Sequence, residues 1–254
     1  MIGEVFISNY KSILDQRILL SRVNVFVGRT GSGKTNILEA LGMAAAAHDD
    51  ALDRERLLKR GVRAIEPSLT FHSSAKSKEI EIAWREKNSW KKAILVCDDS
   101  ESWKDVSWYE PEYVKKINNL IRFIGDGTIE GAYPFDDEAK NMNLNAAFRA
   151  SRNFRDYVIC RDSGDLRPLL EDKNMPSIFA IDNLDEKLCN KESLQTIYQL
   201  AAKNNKQLFI TTSNSAIVNE LNLEDSERKI FLTTMTDDGQ TIVKELTDIT
   251  LIDF

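Results

Sequence analysis

Gly28, Gly31, Gly33, Lys34 and Thr35 stand in the stretch "GRTGSGKT", residues 28–35. Residues of these types at this spacing can hold a polyphosphate. Glycines let successive backbone N–H groups turn inward into an anion-binding nest at the start of a helix. A lysine then adds a point charge for the β- and γ-phosphates, and a hydroxyl-bearing residue beside it offers an oxygen to Mg²⁺. The full pattern GxxxxGK[ST] is present, so Gly28, Arg29, Thr30, Gly31, Ser32, Gly33, Lys34 and Thr35 form the expected binding loop. Arg29 either approaches a phosphate or faces solvent. The chain has no [NT]KxD element of the kind that reads guanine, which makes ATP the expected nucleotide and Mg²⁺ its ion.

The loop needs a strand before it and a helix after it. "RILLSRVNVFVG" (17–28) reads as the strand, and Ile37, Leu38, Leu41 and Ala45 recur at helical spacing in the alanine-rich stretch that follows. "EVFISNY" (4–10) reads as an earlier strand. "SLTFH" (68–72), "EIEIAW" (79–84) and "KAILVC" (92–97) read as an antiparallel flank. Between 98 and 174 the character changes: acidic and aromatic residues mix, and helical patterns lie near "EYVKKINNLIRFI" and "NLNAAFRASRNFRDYVI". Alternation resumes with the apolar strand "SIFAID" (177–182), a helix over "KESLQTIYQLAAKN", a strand "KQLFITTS" (206–213) and a helix around "AIVNEL". The hairpin "KIFLTTMT"–"TIVKEL" closes the sequence through "DDGQ". Strands alternating with helices predict an α/β fold with a largely parallel central sheet, an antiparallel flank and a helical insertion. The expected organisation is one domain over 1–254, with its core in 1–96 and 175–254 and an insertion or lid over 97–174.

Composition narrows the function classes. The 254 residues are 42% hydrophobic and 29% charged, ordinary values for a chain that buries a core. Three cysteines without CxxC spacing and two histidines without a partner pattern point away from a disulfide framework and a zinc site. The four tryptophans lack basic neighbours at strand or helix spacing, so packing is preferred to base stacking. A net charge of −6 gives no support to DNA as a partner beyond a local basic patch. Apolar runs fall short of the roughly 18 to 20 residues that cross a bilayer, and the start lacks signal-peptide character, so no membrane association and a cytoplasmic location are expected.

With the loop placed, its flanks carry a resemblance. "ISNYKSILDQRILLSRVNVFVGRTGSGKTNILEAL" resembles the opening of SMC-like and RecF-like ATPases of the ABC-head class, within the AAA family of ATPases. "FAIDNLDEKLCNKESLQTIYQLAAKNNKQLFITTSNSAIVNEL" resembles the Walker B, D-loop and switch region of that class. Within it the chain is similar to short bacterial ATPases with an "IDN" variant, some of which sit beside an effector in anti-phage defence systems. The resemblance covers the two ends of the chain and leaves its middle unmatched.

It implies that Asp182 is the Walker B aspartate holding Mg²⁺ together with Thr35. It also marks two departures. The class has glutamate at position 183 to activate water, whereas the Asn183 carboxamide cannot take a proton. The class has a switch histidine where Ser213 stands in "TTSN". Asp185 or Glu186 could substitute for the missing base, though neither has the class spacing. Ser163 and Gly164 in "DSGDLRPLL" are the candidate signature loop, which would contact nucleotide on an opposing subunit, and "GDGT" (125–128) competes for the role. No Q-loop glutamine is evident.

The resemblance therefore implies a homodimer or higher oligomer of heads that sandwiches ATP and Mg²⁺ and controls a partner effector. Lys34, Asp182, Asn183 and Ser213 would surround the reacting phosphate, with slow hydrolysis. A non-hydrolysing ATP-binding scaffold and a P-loop phosphotransferase remain alternatives.

Overall fold

Apolar residues at alternating positions near the start of the chain and continuous apolar runs later on sort the strands into two different sheets. The computed structural model describes residues 1–48, 51–63, 67–75, 77–97, 103–105, 122–125, 129–132, 157, 159–160, 170–171, 176–184, 191–215 and 227–247.

The first sheet is antiparallel. Its strands are β1 (Ile2–Tyr10), β2 (Ile13–Leu19), β4 (Glu79–Glu86), β5 (Ser89–Cys97) and β6 (Trp103–Asp105), in the order β2-β1-β4-β5-β6. Val5 lies opposite Ile18 on one side and Trp84 on the other, which fixes the register of its apolar face.

The second sheet contains β3 (Val23–Val27), β9 (Ile159–Cys160), β10 (Ile178–Ile181), β11 (Gln207–Thr212), β12 (Arg228–Met235) and β13 (Thr241–Glu245). Its order is β13-β12-β3-β11-β10-β9; β12, β3, β11, β10 and β9 pair in parallel, and β13 joins antiparallel. All five residues of "VNVFV" in β3 and all six of "QLFITT" in β11 are buried, as expected of strands covered on both faces.

Helix α1 (Lys34–His48) contacts β1, β4 and β5 of the first sheet and β9 and β11 of the second. The sequence pattern suggests one apolar face, but from Ile37 to His48 the helix is buried on every side. That position explains the alanine run, because small side chains let two sheets approach one helix closely. At Gly42 a side chain would come within 2.6 Å of Val62 Cγ2. Helix α2 (Arg54–Lys59) follows, capped by Asp53, whose side chain accepts from the Arg56 N–H. Helix α3 (Lys191–Lys203) connects β10 to β11 in the right order for a parallel pair.

Several expectations need correcting. "RILLSRVNVFVG" is two strands rather than one, because the chain leaves the first sheet after Leu19 and enters the second at Val23. Buried Asn24 holds that crossing, accepting from the Ser21 N–H at 2.8 Å and donating to the Ser21 carbonyl at 2.8 Å. "SLTFH" is a 3₁₀ turn over Pro67–Leu69 followed by a single bridge from Phe71 to Tyr10; a proline at its start cannot donate to a ladder. The end of "EYVKKINNLIRFI" is a strand, β7 (Arg122–Gly125), paired with β8 (Ile129–Ala132). Two short strands from the stretch expected as an insertion, β6 and β9, are edge strands of the two large sheets. The expected helix around "AIVNEL" lies outside the described residues.

The sheets are tied where their strands begin. The Gln207 carboxamide accepts from the Ile2 N–H at 2.8 Å and donates to the Ile2 and Ser21 carbonyls at 2.7 and 2.8 Å. Trp84, fully buried, meets His48 edge to face with ring centroids 4.8 Å apart, in keeping with packing rather than base stacking. Among the described residues no helix is long and apolar enough to cross a membrane.

Candidate functional site

Strands β3, β11 and β10 are parallel neighbours, so their carboxyl ends share one edge, the place where open α/β sheets present ligand-binding loops. The loop 28–33 follows β3, Asp182 and Asn183 follow β10, and Ser213 follows β11. Residues far apart in sequence converge because the strand order interleaves them.

The loop is fitted to its surroundings. A side chain at Gly28 would collide with the Thr233 carbonyl oxygen and come within 2.9 Å of Ser32 Oγ. At Gly33, with φ +90°, it would collide with Thr241 Oγ1 and come within 2.8 Å of Ser12 Oγ. Arg29, Thr30 and Gly31 are exposed, whereas Gly28, Ser32 and Lys34 are buried. The Ser32 N–H donates to the Arg29 carbonyl at 3.1 Å, curling the loop, and the Asn36 N–H donates to the Gly33 carbonyl at 2.9 Å as α1 begins.

Lys34 Nζ donates to the carbonyls of Gly28 at 2.7 Å and Arg29 at 2.8 Å, so the ammonium is folded back over its own loop. Burial pushes its pKa below the ordinary lysine value, and the Asp182 carboxylate pulls it part of the way back. A polyanion beside this group would favour the charged form further.

The Thr35 hydroxyl donates to Asp182 Oδ1 at 2.8 Å. Thr211, on the adjacent strand β11, donates to the same oxygen at 2.7 Å, while its own Oγ1 accepts from the Asn183 N–H at 2.7 Å. Thr211 is buried and lies two residues before Ser213, the residue that the resemblance singles out. Nothing in the sequence around Thr211 marks it, because its role depends on β11 lying beside β10. Asp182 itself is buried, and Asn183 and Ser213 are exposed. Asn183 has φ +61°, a left-handed conformation that asparagine adopts more readily than glutamate.

The oxygen donors suit a hard divalent cation. One carboxylate and one hydroxyl, with phosphate and water completing the shell, is how proteins usually hold Mg²⁺. Among the described residues no cluster of three or more His, Cys, Asp or Glu forms a preassembled metal cage. The candidate signature residues Ser163 and Gly164 lie outside the described residues, as do Asp185 and Glu186. Gly125 of the competing "GDGT" lies in β7, and the rest of that segment is also outside.

Beneath the loop, fully buried Glu39 of α1 binds Lys11 at 2.5 Å and Arg63 Nε at 2.7 Å, and accepts from the Arg63 backbone N–H at 3.0 Å. Burial pushes the Glu39 carboxyl up, but the Arg63 and Lys11 hydrogen bonds and charges outweigh it and leave the pKa below the ordinary range. Arg63 is held charged chiefly by its hydrogen bond to Glu39, with the Asp182 carboxylate contributing to the field around it.

A family model described as an AAA domain (AAA_23) matches residues 4–247. The DNA replication and repair protein RecF of Ruminiclostridium cellulolyticum is 35% identical over 103 residues, which is 39% of this chain and 27% of that protein. The DNA double-strand break repair Rad50 ATPase of Thermoplasma acidophilum is 25% identical over 192 residues, 73% of this chain and 18% of that protein. This chain therefore corresponds to only a minor part of the length of the curated relatives it matches. Among solved structures, the SMC head domain from Thermotoga maritima aligns with a TM-score of 0.49 at 13% identity, covering 98% of this chain and 100% of that one. A structure of the recombination mediator protein RecF with ATP aligns with a TM-score of 0.45 at 12% identity, covering 97% of each chain.

Proposed function

The chain belongs to the AAA domain family, and on that premise we propose that it is an ATP-binding head of the SMC-like and RecF-like type, a nucleotide-dependent switch that hydrolyses slowly. The observation that carries this reading is the meeting of Thr35 with Asp182 beside Lys34 at the end of the parallel strands. In the proposed arrangement, residues 1–96 and 175–254, joined by the edge strands β6 and β9, form the core of one head, and the rest of 97–174 is an insertion that reaches a partner.

The loop N–H groups and Lys34 would take the polyphosphate, with Lys34 exchanging its loop carbonyls for phosphate oxygens. Thr35 and Asp182 would hold Mg²⁺, which supplies charge neutralisation on the β- and γ-phosphates when bound. Thr211 keeps Asp182 oriented by donating to the oxygen that also receives Thr35. Two heads would close over the nucleotide, and the closed pair would act on an effector protein.

Slow turnover follows from position 183. An exposed carboxamide can hold a water molecule but cannot take its proton, and general-base help is worth about 10² to 10⁴-fold. The same observation favours a second reading, a head that binds ATP without turnover. The relatives are named for DNA replication, DNA repair and double-strand break repair. For this chain the net charge of −6 weighs against a broad DNA-binding surface.

The test is calorimetric ATP binding to the wild type and to Lys34→Ala, with molecular mass and phosphate release measured with and without Mg-ATP. Loss of binding in the variant, an ATP-dependent mass increase and release well below about 1 s⁻¹ agree with the switch. Equal affinity of variant and wild type removes the nucleotide site. Binding and dimerisation with no phosphate release select the non-hydrolysing head.

A further inference from the structure

The terminal hairpin reaches beneath the loop. Thr241, the first residue of β13, is fully buried and sits where a Gly33 side chain would be. Its Oγ1 lies 2.6 Å from Ser12 Oγ and 3.2 Å from the Ser32 carbonyl oxygen, and its N–H donates to the Ser12 carbonyl at 2.7 Å. Asn36 Nδ2 donates to Ser12 Oγ at 2.7 Å, and Arg63 donates to Asn36 Oδ1 at 3.1 Å.

One assignment of the hydroxyl protons satisfies every contact in the row. In it Thr241 donates its proton to the Ser32 carbonyl, which can only accept, and accepts from Ser12. Ser12 therefore donates to Thr241 and accepts from Asn36. The chain runs one way: Arg63, Asn36, Ser12, Thr241, then the Ser32 carbonyl.

The Ser32 carbonyl and the Gly33 N–H belong to one planar trans peptide and point in opposite directions. A glycine at φ +90° offers little local resistance to rotation of that peptide. We propose that Thr241 is a positioning residue for phosphate binding: by holding the Ser32 carbonyl on the hairpin side, it sets the Gly33 N–H to face away from the hairpin, toward the anion. The terminal hairpin thus sets the donor geometry of a loop more than 200 residues earlier in sequence. This inference rests on the nucleotide reading of the loop and adds a residue that the loop motif does not contain.

The experiment compares Thr241→Val, which keeps the shape and removes the hydroxyl, with Thr241→Ser, which keeps the hydroxyl. Ser12→Ala removes the donor to Thr241 by a separate route, and Lys34→Ala tests the nucleotide site itself. Mg-ATP affinity is measured by calorimetry and folding by thermal melting. One lost hydrogen bond is worth about three- to tenfold in affinity. The expected result is a loss of that size for Thr241→Val, recovery of most of it in Thr241→Ser, and a smaller loss for Ser12→Ala, all in folded protein. Wild-type affinity in folded Thr241→Val, or equal losses for valine and serine, overturns the positioning role. If Thr241→Val does not fold, Ser12→Ala decides, and unchanged affinity there overturns it as well. Unchanged affinity in Lys34→Ala instead overturns the nucleotide reading, an outcome distinct from failure of the Thr241 role.

Discussion

Thr35 Oγ1 lies 2.8 Å from Asp182 Oδ1 across 147 residues of sequence. The first comes from the start of α1 and the second from the end of β10, and the parallel order β3-β11-β10 brings them to one edge. Thr211 donates to the same carboxylate oxygen, so Asp182 Oδ1 is fixed by two hydroxyls before any ligand arrives. A donor set held in place loses less freedom on binding a cation.

Asp182→Ala should therefore remove the Mg²⁺ dependence of ATP binding while leaving the lysine contact. Calorimetry with and without Mg²⁺ should show a clear affinity difference for the wild type and little or none for the variant. A Mg²⁺ effect of wild-type size in Asp182→Ala would move the ion site elsewhere. Thr211→Val should fall between the two, because it loosens the carboxylate without deleting it.

Asn183 has a conformational role beside its chemical one. At φ +61° its N–H donates to Thr211 Oγ1, and a glutamate there would pay about 1 kcal/mol for the left-handed backbone. Asn183→Gly should melt close to the wild type, and Asn183→Glu should melt lower. Asn183→Glu combined with Ser213→His should nevertheless raise Mg-ATP-dependent phosphate release, by up to about 10² to 10⁴-fold if position 183 is the missing base. Release unchanged by the pair and abolished by Asp185→Asn or Glu186→Gln would assign the base to one of those carboxylates instead.

The loop was legible in the sequence because its chemistry is local: glycines, lysine and threonine are adjacent, and a strand and a helix flank them. Asp182 was legible only through resemblance, since an aspartate ending a strand has many ordinary uses. Thr211, Thr241, Ser12 and Glu39 were not legible as neighbours of the loop. Their roles depend on which strands pair, and nothing in "TTSN" or "GQTIVKEL" records that β11 lies beside β10 or that β13 begins beneath Gly33. The break inside "RILLSRVNVFVG" was missed for a related reason: apolar residues run through it, and the turn is made by Asn24, three residues beyond Ser21.

Glu39 links acid stability to the region beneath the loop. Its folded-state pKa lies below the ordinary value, so the unfolded chain binds the proton more readily than the native one. The carboxylate then contributes stability that is fully present above the unfolded pKa and is lost as pH falls through the folded one. Glu39→Gln should cost about 1.5 to 3 kcal/mol near pH 7, the worth of a hydrogen bond to a charged group. The gap between variant and wild type should shrink as pH drops below the ordinary glutamate range. Denaturant melts across that range check the sign; a gap that widens in acid would mean the native carboxyl holds its proton more tightly than the unfolded one.

Gly31 and Gly33 separate two uses of glycine in one loop. Both have positive φ, +86° and +90°, but a side chain at Gly31 meets nothing within 4 Å, whereas one at Gly33 meets Thr241 and Ser12. Alanine at 31 therefore pays only the backbone term, about 1 to 2 kcal/mol. Alanine at 33 pays that term and must also push the terminal hairpin off the loop, breaking the hydrogen bonds from Ser12 through Thr241 to the Ser32 carbonyl. Gly31→Ala should remain folded with measurable ATP affinity, and Gly33→Ala should lose ATP binding and melt well below it. Calorimetry and melting on the two variants side by side check this. Equal behaviour of the two would mean that the hairpin yields freely and that contact with Thr241 does not constrain the loop.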